Sequence, residues 1–327
     1  MLLLSREDVQ SVLTMKDTIG AVEDGFRQFA LGRVVMPVRV VMPVPQHRGL
    51  MAAMPAYIGG EIDALGQKVV TVYGDNPSKH NLPTVMATVQ LLDPATGKCI
   101  AVMDGTFLTA MRTGAASGVA TKYLAKPNSS RAAIFGAGVQ GETQLEAVAA
   151  VRNITHAKVF DTITGRATEY AERMSKKLGI SVETVSNPRE ALSGSDIVIC
   201  ASTARTPVFD GEWLEPGMHI NGIGSHTPDT RELDTTTLKR SKVVVDSKEA
   251  ALKEAGDLII PIAEKAISPE HIWAELGEII VGKKKARTSD EEITLFKSVG
   301  LALQDVSTAR FVYMKALEEH KGTTVEI

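Results

Sequence analysis

Apolar positions change their spacing several times along the chain, and each change marks a different kind of element. From Ser5 to Gly32 they recur at helical intervals, with Ala21, Val22, Phe26 and Phe29 on one face. Two short helices are predicted there, the first opened by Ser5 with Glu7 and Asp8 in its first turn, the second closed by Gly32. From Val34 to Met103 the pattern becomes β-rich. Val38–Val41, Leu50–Met54, Leu65–Val72, Val85–Leu92 and Cys99–Met103 read as strands, and Asp93-Pro94-Ala95-Thr96-Gly97 reads as a hairpin connection. Small residues from Arg112 to Ala125 then predict a helix leading to Pro127. Beyond it, strand-like Ala132–Phe135, Ala157–Phe160, Val182–Val185, Ile197–Cys200, His219–Gly224 and Val243–Asp246 alternate with helix-like sequence such as Glu142–Val151. That alternation belongs to a parallel, doubly wound sheet. A last stretch, Thr294 to Leu317, reads as one long helix able to return to the first domain.

The turn after the first of these later strands reads Gly136-Ala137-Gly138-Val139-Gln140-Gly141. In a dinucleotide-binding turn the first glycine allows the tight bend and the second lets backbone approach a pyrophosphate. The third permits close helix–strand packing, with the phosphates at a helix N-terminus. Such a glycine pattern also occurs as a plain turn in unrelated α/β proteins. Here Asp161 follows the next strand about 20 residues on, where a carboxylate takes the ribose hydroxyls of NAD. A carboxylate repels a ribose 2′-phosphate, which favours NAD(H). Arg166, with Thr162 and Thr164 between, keeps NADP(H) as the alternative. The expected fold is α/β: a Rossmann doubly wound parallel sheet at 121–298, plus an α+β domain from 1–120 and 299–327.

A length of 327 residues suits two domains of about 150 residues each. Hydrophobic content of 44%, charged content of 23% and a net charge of −3 describe an ordinary globular chain and imply no attraction to nucleic acid or membrane. The basic run Lys283-Lys284-Lys285 has no interleaved aromatics and reads as a solvated loop. Cys99 and Cys200 lie in apolar sequence without metal-ligand neighbours, so buried reduced thiols and a cytoplasmic setting are expected, with no metal. Met1-Leu2-Leu3-Leu4 is too short for a signal segment.

Three cations stand where the pattern gives them little reason to be. Arg39 lies between valines, Lys68 sits in a strongly apolar strand, and Arg112 is surrounded by small residues that admit a ligand or another backbone. A charge in such a place is costly unless it meets an anion or lines a cavity. Strand alternation leaves a solvent-facing position open for Arg39 and for Lys68 taken singly. Arg112 suits a two-pronged grip on a carboxylate.

The runs Leu82–Ala87, Ala101–Thr106, Arg112–Ala116, Phe135–Gly141 and Ser298–Val306, spread over almost the whole chain, resemble the ornithine cyclodeaminase/mu-crystallin family. The resemblance implies a homodimer whose first domain, completed by the C-terminal helix, binds substrate and mediates dimerisation. It also implies that Arg39, Lys68 and Arg112 bind the carboxylate of an imino or amino acid, with Lys68 also polarising the reacting centre or moving a proton. Cofactor contacts are implied for Arg112, Thr113, Gly136, Gly138, Val139, Gln140, Gly141, Asp161, Thr162, Arg166, Ser202, Thr203, Gly224, Ser225, Ser298 and Gly300.

Cyclodeaminase and alanine dehydrogenase members carry an aspartate where this chain has His226, in Gly224-Ser225-His226-Thr227. That aspartate suits proton and amine traffic when ammonia enters or leaves. Its replacement resembles the ketimine and pyrroline-2-carboxylate reductase branch, in which a preformed cyclic α-imino acid accepts a hydride at the C=N carbon. His226 then either relays a proton or only shapes its loop. L-alanine dehydrogenase, ornithine cyclodeaminase and a small-molecule-binding crystallin-like protein are the alternatives, in that order. The three cations kept together argue against the last.

Overall fold

The β-rich stretch folds into an eight-stranded sheet, in the computed structural model, which describes residues 1–326. Its order runs from Thr323–Thr324 through Leu2–Leu4, Cys99–Asp104, Val85–Leu92, Ala64–Tyr73 and Gly49–Ile58 to Val34–Val35, with Val40–Val44 also paired to Gly49–Ile58. Pairing is antiparallel except where Leu2–Leu4 lies parallel to Cys99–Asp104. The helices Met15–Ala30 and Ala302–Glu318 cover one face. They pack tightly because Gly25 has no side chain: a Cβ there would lie 3.1 Å from Leu303. Val22 and Phe26 of the first helix are wholly buried, each stabilising by about 1.5–3 kcal/mol. In Ala64–Tyr73 the residues Ala64, Gly66, Lys68 and Val70 alternate inward, so period-two geometry turns Lys68 into the core. This resolves the alternative left open for that lysine.

Thr113–Gly300 forms a second unit, apart from Met1–Arg112 with the residues from Leu301 onward. The two units meet at 112/113, inside the helix Gly105–Leu124, and at 300/301. The second unit is an all-parallel sheet ordered Ser181–Thr184, His156–Phe160, Arg131–Phe135, Ile197–Cys200, His219–Gly222, Ile293–Lys297, Ser241–Val245, Ile272–Glu275. The chain reverses its winding between Arg131–Phe135 and Ile197–Cys200, the switch point where ligands enter such sheets.

Three elements differ from the sequence expectation. Ile293–Lys297 is a strand and not the start of a long helix, which begins only at Ala302. All five of its residues are buried, as in a strand covered on both faces, and Gly300 at φ +79 separates it from the helix. The helix expected from Arg112 starts at Gly105, and Arg39 stands in the extended segment just before Val40–Val44. No helix among the described residues is long and apolar enough to cross a membrane.

Candidate active site

Lys68 and Arg112 meet one carboxylate. Asp305, in the first turn of Ala302–Glu318, accepts from Lys68 Nζ at 2.9 Å and from Arg112 Nε at 2.8 Å through the same oxygen. Arg112 Nη1 also donates to Gln304 Oε1 at 2.7 Å. Lys68 and Asp305 are essentially inaccessible, at 1% and 0% exposure. Burial pushes the Lys68 ammonium down to about 7, repulsion from Arg112 and Arg39 adds to it, and Asp305 opposes it. Two basic side chains thus share one acid, with Arg39 within electrostatic reach of the lysine. Basic side chains gathered in this way suit an anionic group, and the lysine can give or take a proton near neutral pH. Gln304 Nε2 and Asp305 Oδ2 are buried without a hydrogen-bond partner.

The glycine turn of the second unit has the form a pyrophosphate needs. Gly136 takes φ +105, and a Cβ on it would lie 2.6 Å from the Ala201 carbonyl. A Cβ on Gly141 would lie 2.3 Å from the Gly136 carbonyl, whereas Gly138 has nothing within 4 Å. Gly138 also caps the helix Val139–Val151 with no side-chain hydrogen bond, leaving its first backbone N–H groups for a ligand. Tyr170, fully buried, donates its hydroxyl to the Gly141 carbonyl at 2.9 Å. Asp161 accepts from Ala137 N and Ile163 N, both at 2.9 Å, so the carboxylate is fastened to the glycine turn. Thr162 and Arg166 are exposed beside it, Arg166 in the first turn of Thr164–Leu178; Val139 is exposed and Gln140 half-buried. The Thr113 carbonyl accepts from Gln144 Nε2 at 3.0 Å. Next to it, a Cβ on Gly114 would lie 2.4 Å from the Thr143 carbonyl, so the small residues here admit backbone.

The remaining expected contacts lie on loops after the sheet's strands. Ser202, beside Thr203, donates its N–H and hydroxyl to Glu232 Oε1 at 2.7 and 2.6 Å. Gly224 N–H donates to Glu232 Oε2 at 2.6 Å, and the Ser225 hydroxyl donates to the Thr230 carbonyl at 2.6 Å. Asp246 Oδ2 accepts from the Ser298 hydroxyl at 2.7 Å and Gly300 N–H at 2.8 Å. The side chains of Ser202, Ser225 and Ser298 thus fasten the loops themselves. His226 is exposed, its Nδ1 3.1 Å from the Gly224 carbonyl.

Sequence reasoning missed Asp305, Gln304, Glu232, Asp246 and Tyr170 as site residues. The available signal was an acid ending a wholly apolar run, as in Val243-Val244-Val245-Asp246, or a polar pair inside the Ser298–Val306 stretch.

The model of the ornithine cyclodeaminase/mu-crystallin family matches residues 1–320. A Thermococcus litoralis Delta(1)-pyrroline-2-carboxylate reductase, solved with NADH and L-proline, is 52% identical, with 99% of this chain and 100% of that one covered and a TM-score of 0.96. An archaeal alanine dehydrogenase dimer with bound NAD is 40% identical over 100% of this chain and 99% of that one, with a TM-score of 0.94. A Bacillus cereus Delta(1)-pyrroline-2-carboxylate reductase is 40% identical over the full length of both chains.

Proposed function

The chain belongs to the ornithine cyclodeaminase/mu-crystallin family, and from that premise we propose that it is an NAD(H)-dependent reductase of a cyclic α-imino acid of the pyrroline-2-carboxylate or piperideine-2-carboxylate type. The observation that carries this reading is the buried Lys68–Arg112–Asp305 cluster, two basic groups on one carboxylate oxygen with Arg39 within electrostatic reach. Arg39, Lys68 and Arg112 grip the substrate carboxylate and hold the ring in one orientation. The open end of Val139–Val151, Gly136, Gly138 and Gly141 receive the pyrophosphate, and Asp161 receives the adenosine ribose. Bound NADH supplies the reducing equivalent at the nicotinamide end. Lys68, poised near 7, supplies the proton that keeps the imine nitrogen cationic and leaves it as an amine. The carbon gains a hydride, the nitrogen keeps that proton, and one NADH is oxidised per C=N bond reduced. No ammonia enters or leaves, which suits a histidine at 226.

The residues through Arg112, with those from Leu301 onward, form in this reading the substrate and dimerisation domain, and Thr113–Gly300 the nucleotide domain. Val40, Val41 and Met42 expose half or more of their surface along one strand, an apolar edge suited to a second copy of the chain. The free thiols Cys99 and Cys200 fit a reducing cytoplasm.

Likeness to the alanine dehydrogenase dimer supports a second reading, reductive amination of pyruvate. NADH oxidation measured with each cyclic imine, and with pyruvate plus ammonium, separates the two. Turnover with the imines alone is expected. Turnover only with pyruvate plus ammonium overturns the reductase assignment, and tight NADH binding without any turnover points to a binding protein.

A further inference from the structure

We infer that Glu232 is a positioning residue: its buried carboxylate ties the loop carrying Ser202 and Thr203 to the loop carrying Gly224, Ser225 and His226. These loops leave the C-terminal ends of neighbouring parallel strands, Ile197–Cys200 and His219–Gly222, where ligands of such sheets bind. Three donors converge on the one side chain. Ser202 N–H and hydroxyl reach Oε1 at 2.7 and 2.6 Å, and Gly224 N–H reaches Oε2 at 2.6 Å. Position 224 has to be glycine for this to occur, since a Cβ there would lie 2.3 Å from Glu232 Oε2.

Glu232 is itself held from behind. Asp257 Oδ1 accepts from Glu232 N–H at 2.8 Å and Leu233 N–H at 2.9 Å. Lys297 lies 2.7 Å from Asp257 Oδ2 and donates to the Ser225 carbonyl at 2.6 Å. Glu232, Asp257 and Lys297 are all at 0% exposure. A loop whose tip is exposed at His226 is thus fixed at its base by two buried acids and one buried base. Desolvating these charges offsets much of their attraction, so the network adds little net stability, and what it supplies in this inference is fixed loop geometry. Burial raises Glu232 to about 7 against its Ser202 hydrogen bonds and Lys297, with Asp257 adding to the rise.

The kinetic part of the test rests on the reductase reading; the binding and exchange parts do not. Glu232→Gln keeps shape but places an amide N–H₂ against either Ser202 N–H or Gly224 N–H, so one backbone donor loses its acceptor. The expected result is a rise of about tenfold in the NADH Kd by fluorescence titration, the equivalent of about 1.4 kcal/mol. kcat falls while the imine KM stays unchanged. Hydrogen exchange quickens at residues 202–204 and 223–226, with no change at the glycine turn. An NADH Kd and kcat at wild-type values overturn the inference. So does a loss that moves the imine KM, the NADH Kd and the melting temperature together. Absence of imine turnover in the wild type defeats the reductase reading alone, since NADH titration and exchange still report on the loops.

Discussion

Replacing Asp305 with Asn tests whether this acid sets the charge state of Lys68. The variant keeps the shape of the side chain and removes one negative charge, 2.9 Å from Lys68 Nζ and 2.8 Å from Arg112 Nε. Unit charges that close attract by about 6 kcal/mol at an effective dielectric near 20. At 1.36 kcal/mol per unit this is a ceiling of about four pKa units. The amide oxygen still accepts a hydrogen bond, so a smaller fall is expected, of at least about one unit from the starting value of about 7. The sign follows from the proposed role. Lys68 gives a proton, so activity is present below its pKa and lost as pH rises through it. Lowering that pKa moves the descending limb of kcat/KM toward acid by about one unit or more and costs roughly fivefold or more at pH 7. The cluster becomes more positive, so the KM for an anionic imine does not rise. The assay is imine-dependent NADH oxidation across roughly pH 5 to 9, with wild type and variant on one substrate so that the imine's own titration cancels. A limb that stays in place, or moves toward alkali, refutes the argument.

Lys68→Ala removes a carboxylate ligand and the proposed proton donor together. Reduction is expected to fall about a hundredfold or more, with the NADH Kd nearly unchanged by fluorescence titration. Gly141→Ala places a Cβ 2.3 Å from the Gly136 carbonyl, so the turn must open. A loss of about 1–3 kcal/mol in denaturant unfolding and weaker NADH binding are expected; wild-type binding would show that the close approach is not needed. Asp161→Ser removes the charge that repels a 2′-phosphate while leaving Arg166 beside it. The ratio of kcat/KM for NADPH to that for NADH is expected to rise about tenfold, and an unchanged ratio would remove Asp161 from cofactor choice.

The layered α/β fold was legible because its signals are local. Continuous apolar runs such as Ile197–Cys200, glycines at the turn and the switch from strand to helix spacing depend on a few neighbouring residues each. Ile293–Lys297 was misread as helix because a short apolar run has no period of its own; it became a strand by inserting between His219–Gly222 and Ser241–Val245. The same limit held for the site. Lys68 and Arg112 stood out as charges in sequence too apolar or too small-sided to want them, which is a one-dimensional observation. Their partner Asp305 lies 237 residues from Lys68, and nothing in the local pattern relates the two.

Composition, periodicity and the glycine turn by themselves determined the two-part α/β plan, the place of the dinucleotide turn and the cations worth attention. Tertiary structure alone decided that Lys68 faces inward, that one buried carboxylate serves two of the cations, and that Glu232, Asp246 and Asp257 fasten the loops at the strand ends. The physical reason is that propensity and amphipathic spacing act between neighbours. Burial and Coulomb attraction act between groups that only the folded chain brings within 3 Å, as it brings Lys68 and Arg112 each to Asp305.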